Sequence, residues 1–327
     1  MMLTRRSCLA LAGAALCRAS GDLRATWRRI AAQTDGVAGA AAQRLDGGPL
    51  VSLAGDERFP LASVCKLPIA MAIFAMADEG RHSLHDEIEI PPYDVVPSVS
   101  PIADRWPSQK RFPLDEMVAL MVAKSDNTAV QTLFRVAGGA NGMAARMRAW
   151  GIDGVRIDRD ERTCGLEAAG VRHIPPVAEW TPGMAGELTA RVPPAARLAA
   201  MRRFFADSRD TATPNATVAL LGKLGRGSLL SGPMTARLQT ILESTTTGAA
   251  RIRGLLPDGV VVAHKTGTTG NAGKLNGSTN DVGLIRLPGG AQLAVAFYVK
   301  GSTRDLAGRE RVIAEMARAA YDWTLQS

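Results

Sequence analysis

The chain has 327 residues, 46% hydrophobic and 21% charged, proportions of an ordinary globular protein with material for two domains or one large one. That composition excludes a disordered chain, a collagen-like repeat and a disulfide scaffold. No stretch reaches the roughly 18 apolar residues of a membrane-spanning helix. The net charge of +8 arises from 32 Arg and 7 Lys against 31 acids; with no basic run interleaved with aromatics, it does not point to nucleic acid, only to some preference for anionic ligands.

Taken in chain order, residues 1–20 read as an export signal. Arg5 and Arg6 supply the positive end, Leu9 to Leu16 a short apolar run, and Ala19 a cleavage point. The pair Arg5-Arg6 after Thr4 suggests twin-arginine export to the periplasm. Cys8 and Cys17 would leave with the signal, so Cys65 and Cys164 remain as an even pair in an oxidising compartment.

Gly21 to Gln33 has a helical apolar face. Val37 to Arg44 and Pro49 to Ala54 read as a hairpin around Asp46-Gly47-Gly48. A long apolar helix is predicted from Val64 to Ala77, stopped by Gly80. Pro91 to Phe112 is Pro-rich and irregular. Helices are then predicted over Leu114–Ala123, Thr128–Val136 and Ala144–Trp150. Strand patterns return at Val260–Thr266, Asp281–Leu287 and Gln292–Lys300, the last two turning at Pro288-Gly289-Gly290, and an amphipathic helix runs from Leu306 to Leu325. Strands at both ends and helices between them predict a mixed α/β fold. A mostly antiparallel sheet from residues 21–60 and 246–327 is flanked by helices, and residues 61–245 form an inserted all-helical lobe.

Three short motifs carry chemistry. In Ser63-Val64-Cys65-Lys66 the Ser and Lys lie one helical turn apart. The Ser sits near a helix N-terminus, where free N–H groups meet developing negative charge, and a lysine carried into an apolar run has an easily moved pKa. The alternative is an N-cap serine with a snorkelling lysine. Ser125-Asp126-Asn127 reads either as a helix N-cap cluster or as a proton donor, a structural anchor and a hydrogen-bonding amide. Lys265-Thr266-Gly267 ends a strand; it is either an edge turn or a cation and hydroxyl that hold a carboxylate, with a glycine permitting close approach. Gly267, Gly270, Gly273 and Lys274 miss a phosphate loop by one residue. His82, His85 and Asp86 show no third ligand for a metal, and no cofactor is implied.

Together and in this order the three motifs resemble the Ser-x-x-Lys, Ser-Asp-Asn and Lys-Thr-Gly set of class A serine β-lactamases and penicillin-binding proteins. The resemblance extends over roughly residues 21–325. It is joined by Phe59 four before Ser63, Arg251 fourteen before Lys265, and Thr279-Asn280-Asp281. It implies the β-lactamase/transpeptidase-like fold and a monomer acting on a small β-lactam. Ser63 would be the nucleophile, Lys66, or Glu161 through a water, its base, and Ser125 the proton donor to the ring nitrogen. Asn127 would bind a substrate carbonyl. Lys265, Thr266, Gly267, Thr268 and Arg251 would bind the substrate carboxylate, and the backbone of Ser63 and Thr268 would form the oxyanion hole.

The resemblance further places Glu161 at the family's hydrolytic base, with Cys164 where Leu is usual and Gly165 where Asn is usual. Glu167, Glu179 and Glu187 are weaker rivals. Arg159 and Asp210 match the ion pair that closes the family's omega loop. They enclose 50 residues, against about 6–16 for ordinary omega loops, so most of 159–210 is an insertion, with short helices predicted near Pro175–Trp180 and over Pro194–Ala206. The resemblance also suggests a Cys65–Cys164 disulfide beneath this loop. A D-alanyl-D-alanine peptidase or esterase with slow deacylation and a non-catalytic penicillin sensor remain as alternatives.

Overall fold

The computed structural model describes residues 22–326; the expected export signal lies outside them. Five strands form one sheet: β1 (Val37–Arg44), β2 (Val51–Leu53), β3 (Val262–Thr268), β4 (Thr279–Arg286) and β5 (Gln292–Lys300). Their order is β2-β1-β5-β4-β3, and every pairing is antiparallel. The N-terminal hairpin thus joins the sheet through β5, with Ala40 opposite Phe297. The mixed α/β, mostly antiparallel architecture expected from the strand pattern is the one observed.

The sheet is buried on both faces, and β5 shows how a period of two builds two cores. Leu293, Val295, Phe297 and Val299 pack with the terminal helices α1 (22–31) and α7 (Leu306–Gln326). Trp27 of α1 sits edge-on to Phe297, 6.1 Å between ring centres, and its indole N–H donates to Met316 O. Ala294, Ala296 and Tyr298 face the helical lobe. Tyr298 stacks on Phe59 and shares a hydrogen bond with Thr217, which satisfies its buried hydroxyl.

At the centre of the lobe is α2 (Lys66–Asp78), buried from Lys66 through Met76. A helix apolar on every side belongs inside a lobe, and α3 (Leu114–Ala123) and α4 (Asn127–Val136) pack against it. Pro68 is tolerated because the first-turn N–H groups need no intrahelical partner.

Several boundaries differ from the sequence reading. Ser63 lies in a 3-10 turn, Ala62–Cys65, that feeds α2. The helix expected from Ala144 begins at Gly139, because Gly138 takes a left-handed conformation (φ +88°) that both ends α4's segment and starts the next helix. The Pro-rich stretch contains a short helix, Pro101–Arg105. Two further lobe helices, Pro214–Gly225 and Gly232–Glu243, were not anticipated.

Candidate active site

The Ser63 turn lies where the lobe meets the sheet edge, and β3 and β4 hold it there. Asn280 Nδ2 donates to Pro60 O and Leu61 O at 2.8 and 3.1 Å. A Cβ on Gly267 would come within 2.7 Å of Leu61 O, so only glycine lets β3 pass this close. Ala62 is held at φ +48° and Ser125 at φ +59°. For residues other than glycine this is local strain of about 1–3 kcal/mol each, of the kind surrounding structure must enforce.

Lys66 is fully buried, and its ammonium is saturated by the first two motifs. Its Nζ lies 3.1 Å from Ser63 Oγ, 2.7 Å from Ser125 O, 3.1 Å from Ser125 Oγ and 2.5 Å from Asn127 Oδ1. Lys265, also fully buried, donates to Ser125 Oγ at 3.2 Å and to Thr266 O at 2.9 Å. One serine hydroxyl therefore stands between two lysines. Burial pushes the Lys66 ammonium below its ordinary value, against the opposing pull of Glu161. Burial, and then the charge of Lys66, push Lys265 down to about 7.

Asp126 takes the anchoring role. It caps α4 through Ala129 N and accepts from Ser100 Oγ and Ile102 N. Thr266 Oγ1 pairs with Thr247 at 2.6 Å, while Thr268 stands exposed at the end of β3. Arg251, expected to help hold the substrate carboxylate, lies buried behind β3, donating to Glu310, Gly267 O and Asn280 O, and its Nη2 reaches forward to Thr268 Oγ1 at 2.7 Å. Glu310, Thr247 and Asn280 thus support the site, and the first two carried no motif that would mark them.

Glu161 is half-buried and opens helix α5 (Glu161–Ala169), capped by Asp160 through Thr163 N at 2.7 Å. Its charge acts on both Lys66 and Cys65, and it lines the same cavity as Ser63. The rival acids are elsewhere: Glu179 and Glu187 are exposed, and Glu167 is paired with Arg159 and Arg209. That pairing belongs to the clasp closing the enlarged loop. Asp210 accepts from the Arg159 guanidinium and from the backbone N–H groups of Asp158 and Arg159. Its own carbonyl accepts from Leu61 N at 2.9 Å, two residues before the nucleophile.

Within the loop, α6 (Pro194–Ala206) has the expected bounds, the Pro175–Trp180 segment is a single 3-10 turn, and Met184–Ala190 adds a helix. The expected Cys65–Cys164 disulfide is not formed; both are free thiols. Burial pushes Cys65 up to about 12 and Cys164 well above its ordinary value, suppressing the thiolate that disulfide exchange requires.

A nucleophile hydrogen-bonded to a buried lysine, a serine bridging that lysine to a second one, and a carboxylate lining the nucleophile's cavity are the parts of a serine acyl-transfer enzyme. The β-lactamase enzyme family model matches residues 22–324. The carbapenem-hydrolysing β-lactamase KPC of Klebsiella oxytoca is 30% identical over 88% of this chain and 84% of its own. A β-lactamase structure from Chitinophaga pinensis superposes with a TM-score of 0.78 at 30% identity, over 93% of this chain and 99% of that one. An ancestral class A β-lactamase superposes with a TM-score of 0.73 at 29% identity, over 92% and 99% of the two chains. The chain belongs to the β-lactamase enzyme family, and within it is a class A serine β-lactamase.

Proposed function

We propose that Ser63 attacks the β-lactam carbonyl and that Lys66, held 3.1 Å away, takes its proton. Loss of charge at Lys66 is favoured by its burial, and a neutral amine at hydrogen-bond distance is a competent base. The negative charge on the tetrahedral oxygen is met by the N–H groups of Ser63 and Thr268. A single such donor is worth about 2.7–4 kcal/mol in other systems. Ser125 carries the proton from Lys66 to the ring nitrogen as the C–N bond breaks; its hydroxyl already touches both lysines.

In this reading the substrate carboxylate lies against Lys265, Thr266 and Thr268, with Gly267 clearing the approach. Arg251 acts through Thr268 Oγ1 and by its charge. Asn127 orients the substrate amide while tethering Lys66. Glu161 then takes a proton from water, whose oxygen attacks the acyl carbonyl; the ester C–O bond breaks as that proton is returned to Ser63 Oγ.

The observation that carries the reading is the convergence on Lys66 of Ser63, Ser125 and Asn127 from separate elements. Its test is Lys66→Met, expected to lower acylation by about 10²–10⁴ and measured by single-turnover mixing with a chromogenic cephalosporin. Unchanged acylation would sink it. The same reading takes residues 1–20 as a leader to the periplasm, by the twin-arginine route. It divides the mature chain at about residues 60 and 245, and expects a monomer with no nucleic-acid partner. No helix among the described residues is long and apolar enough to cross a membrane.

A further inference from the structure

A groove of about 810 Å³ lies at the root of the enlarged loop, and its walls contain neither Ser63 nor either buried lysine of the active site. Charged side chains from several segments meet there: Arg159 and Arg209 of the clasp, Arg172 beyond α5, Arg203 on α6, and the acids Glu167 and Asp207. The two acids are already engaged. Glu167 accepts from Arg159 Nη1 at 2.6 Å and from Arg209 Nη2 at 2.9 Å. Asp207 accepts from Arg209 Nη2 at 2.7 Å and from Arg159 Nη1 at 3.3 Å. Arg172 and Arg203 are exposed, and neither has an ion pair or a side-chain hydrogen bond among the described residues. Arg159 is 5% exposed, yet its Nη2 has no acceptor. Buried donors are almost always paired, and a guanidinium cannot lose its proton to relieve the cost.

We infer that this groove binds a phosphate dianion, inorganic or as a monoester. Four cations against two anions leave an excess of two, which a phosphate monoester matches with about −1.5 to −2 charge near neutrality. A carboxylate would balance only one. Guanidinium forks meet phosphate oxygens two at a time. The uncommitted donors stand on separate segments, so one bound phosphate ties the far end of α5 and the last turn of α6 to the Arg159 clasp. None of these side chains takes part in bond making, so the inference stands apart from the hydrolytic reading. Arg159 also borders the cavity of Ser63, whereas Arg172 and Arg203 border only the groove; they are the residues that test it.

The test compares thermal melts in about 20 mM inorganic phosphate with melts in sodium chloride of equal ionic strength and pH, since screening acts equally in both. Phosphate should raise the wild-type Tm by at least about 2 °C. The double variant Arg172→Gln/Arg203→Gln changes only exposed side chains; its Tm in chloride should stay within about 2 °C of the wild type, and the phosphate rise should fall by more than half. Equilibrium dialysis of inorganic phosphate reads the same loss without heating, as at least about tenfold weaker binding in the double variant. No rise in the wild type, or an undiminished rise and unchanged binding in the double variant, overturns the inference. Sedimentation with phosphatidylcholine vesicles carrying phosphatidic acid separates the two sources of the ligand. Co-sedimentation that the double variant loses assigns a lipid headgroup; its absence, with the rise present, assigns free phosphate or a soluble monoester.

Discussion

Ser125 Oγ sits within 3.1 Å of one buried ammonium and 3.2 Å of another, and two like charges cannot share that space without cost. Burial and Lys66 bring Lys265 to about 7, and only its charged form attracts a carboxylate. The attraction is therefore present below about pH 7 and fades as pH rises through it. We expect kcat/KM for a carboxylate-bearing substrate to fall on the alkaline side of neutrality and that for its neutral ester to change less; parallel profiles would contradict this. Gly165 allows a second residue-scale prediction. It is exposed, and a side chain there meets open space. Gly165→Asn should add about one hydrogen bond to the attacking water, roughly 1 kcal/mol or fivefold in deacylation, measured by the decay of a trapped acyl-enzyme. No acceleration would remove water-holding as the meaning of that position.

At the scale of elements, the Arg159–Asp210 clasp joins the two ends of the enlarged loop and reaches the nucleophile's turn through Asp210 O. Both side chains are buried, and removing one partner of a buried pair costs about 3–5 kcal/mol, because a charge is left uncompensated. Asp210→Asn should accordingly lower Tm and slow deacylation more than acylation, since Glu161 sits just inside the clasp; equal slowing of both steps would argue that the clasp acts on the whole lobe. The clasp residues were legible in the sequence, and so was α6, whose Pro194 sits at its first helical position. The start of α5 at Glu161 was not foreseen, although Asp160 is a strong cap signal, because the segment had been read only as a loop. The same signal stood unread before two lobe helices, at Thr213-Pro214 and at Ser231 with Pro233. The disulfide was misread for a different reason. The family resemblance brings Cys65 and Cys164 to one cavity, where both do lie, but whether they join depends on the packing around them and is not written locally.

For the whole molecule, the sheet made from both chain ends and the lobe between them have one consequence that sequence order hides: β3 and β4 deliver Lys265 and Asn280 to the turn around Ser63. Alternating patterns in β4 and β5 made the sheet legible, because each face buries its own core. The inward reach of Arg251 to Glu310 was not legible, since the two meet only after α7 folds against the sheet. The central claim is that groups from these separate elements form one two-step hydrolase in which Ser63 is acylated and Glu161 releases it. Intact-mass measurement of the wild type and Glu161→Ala after mixing with a penicillin tests that claim most directly. The account predicts rapid product formation without a lasting adduct in the wild type, and in the variant an adduct of one whole penicillin on Ser63 that persists, with turnover lowered about 10²–10⁴-fold. Undiminished turnover in the variant, or an adduct on any other residue, would contradict it.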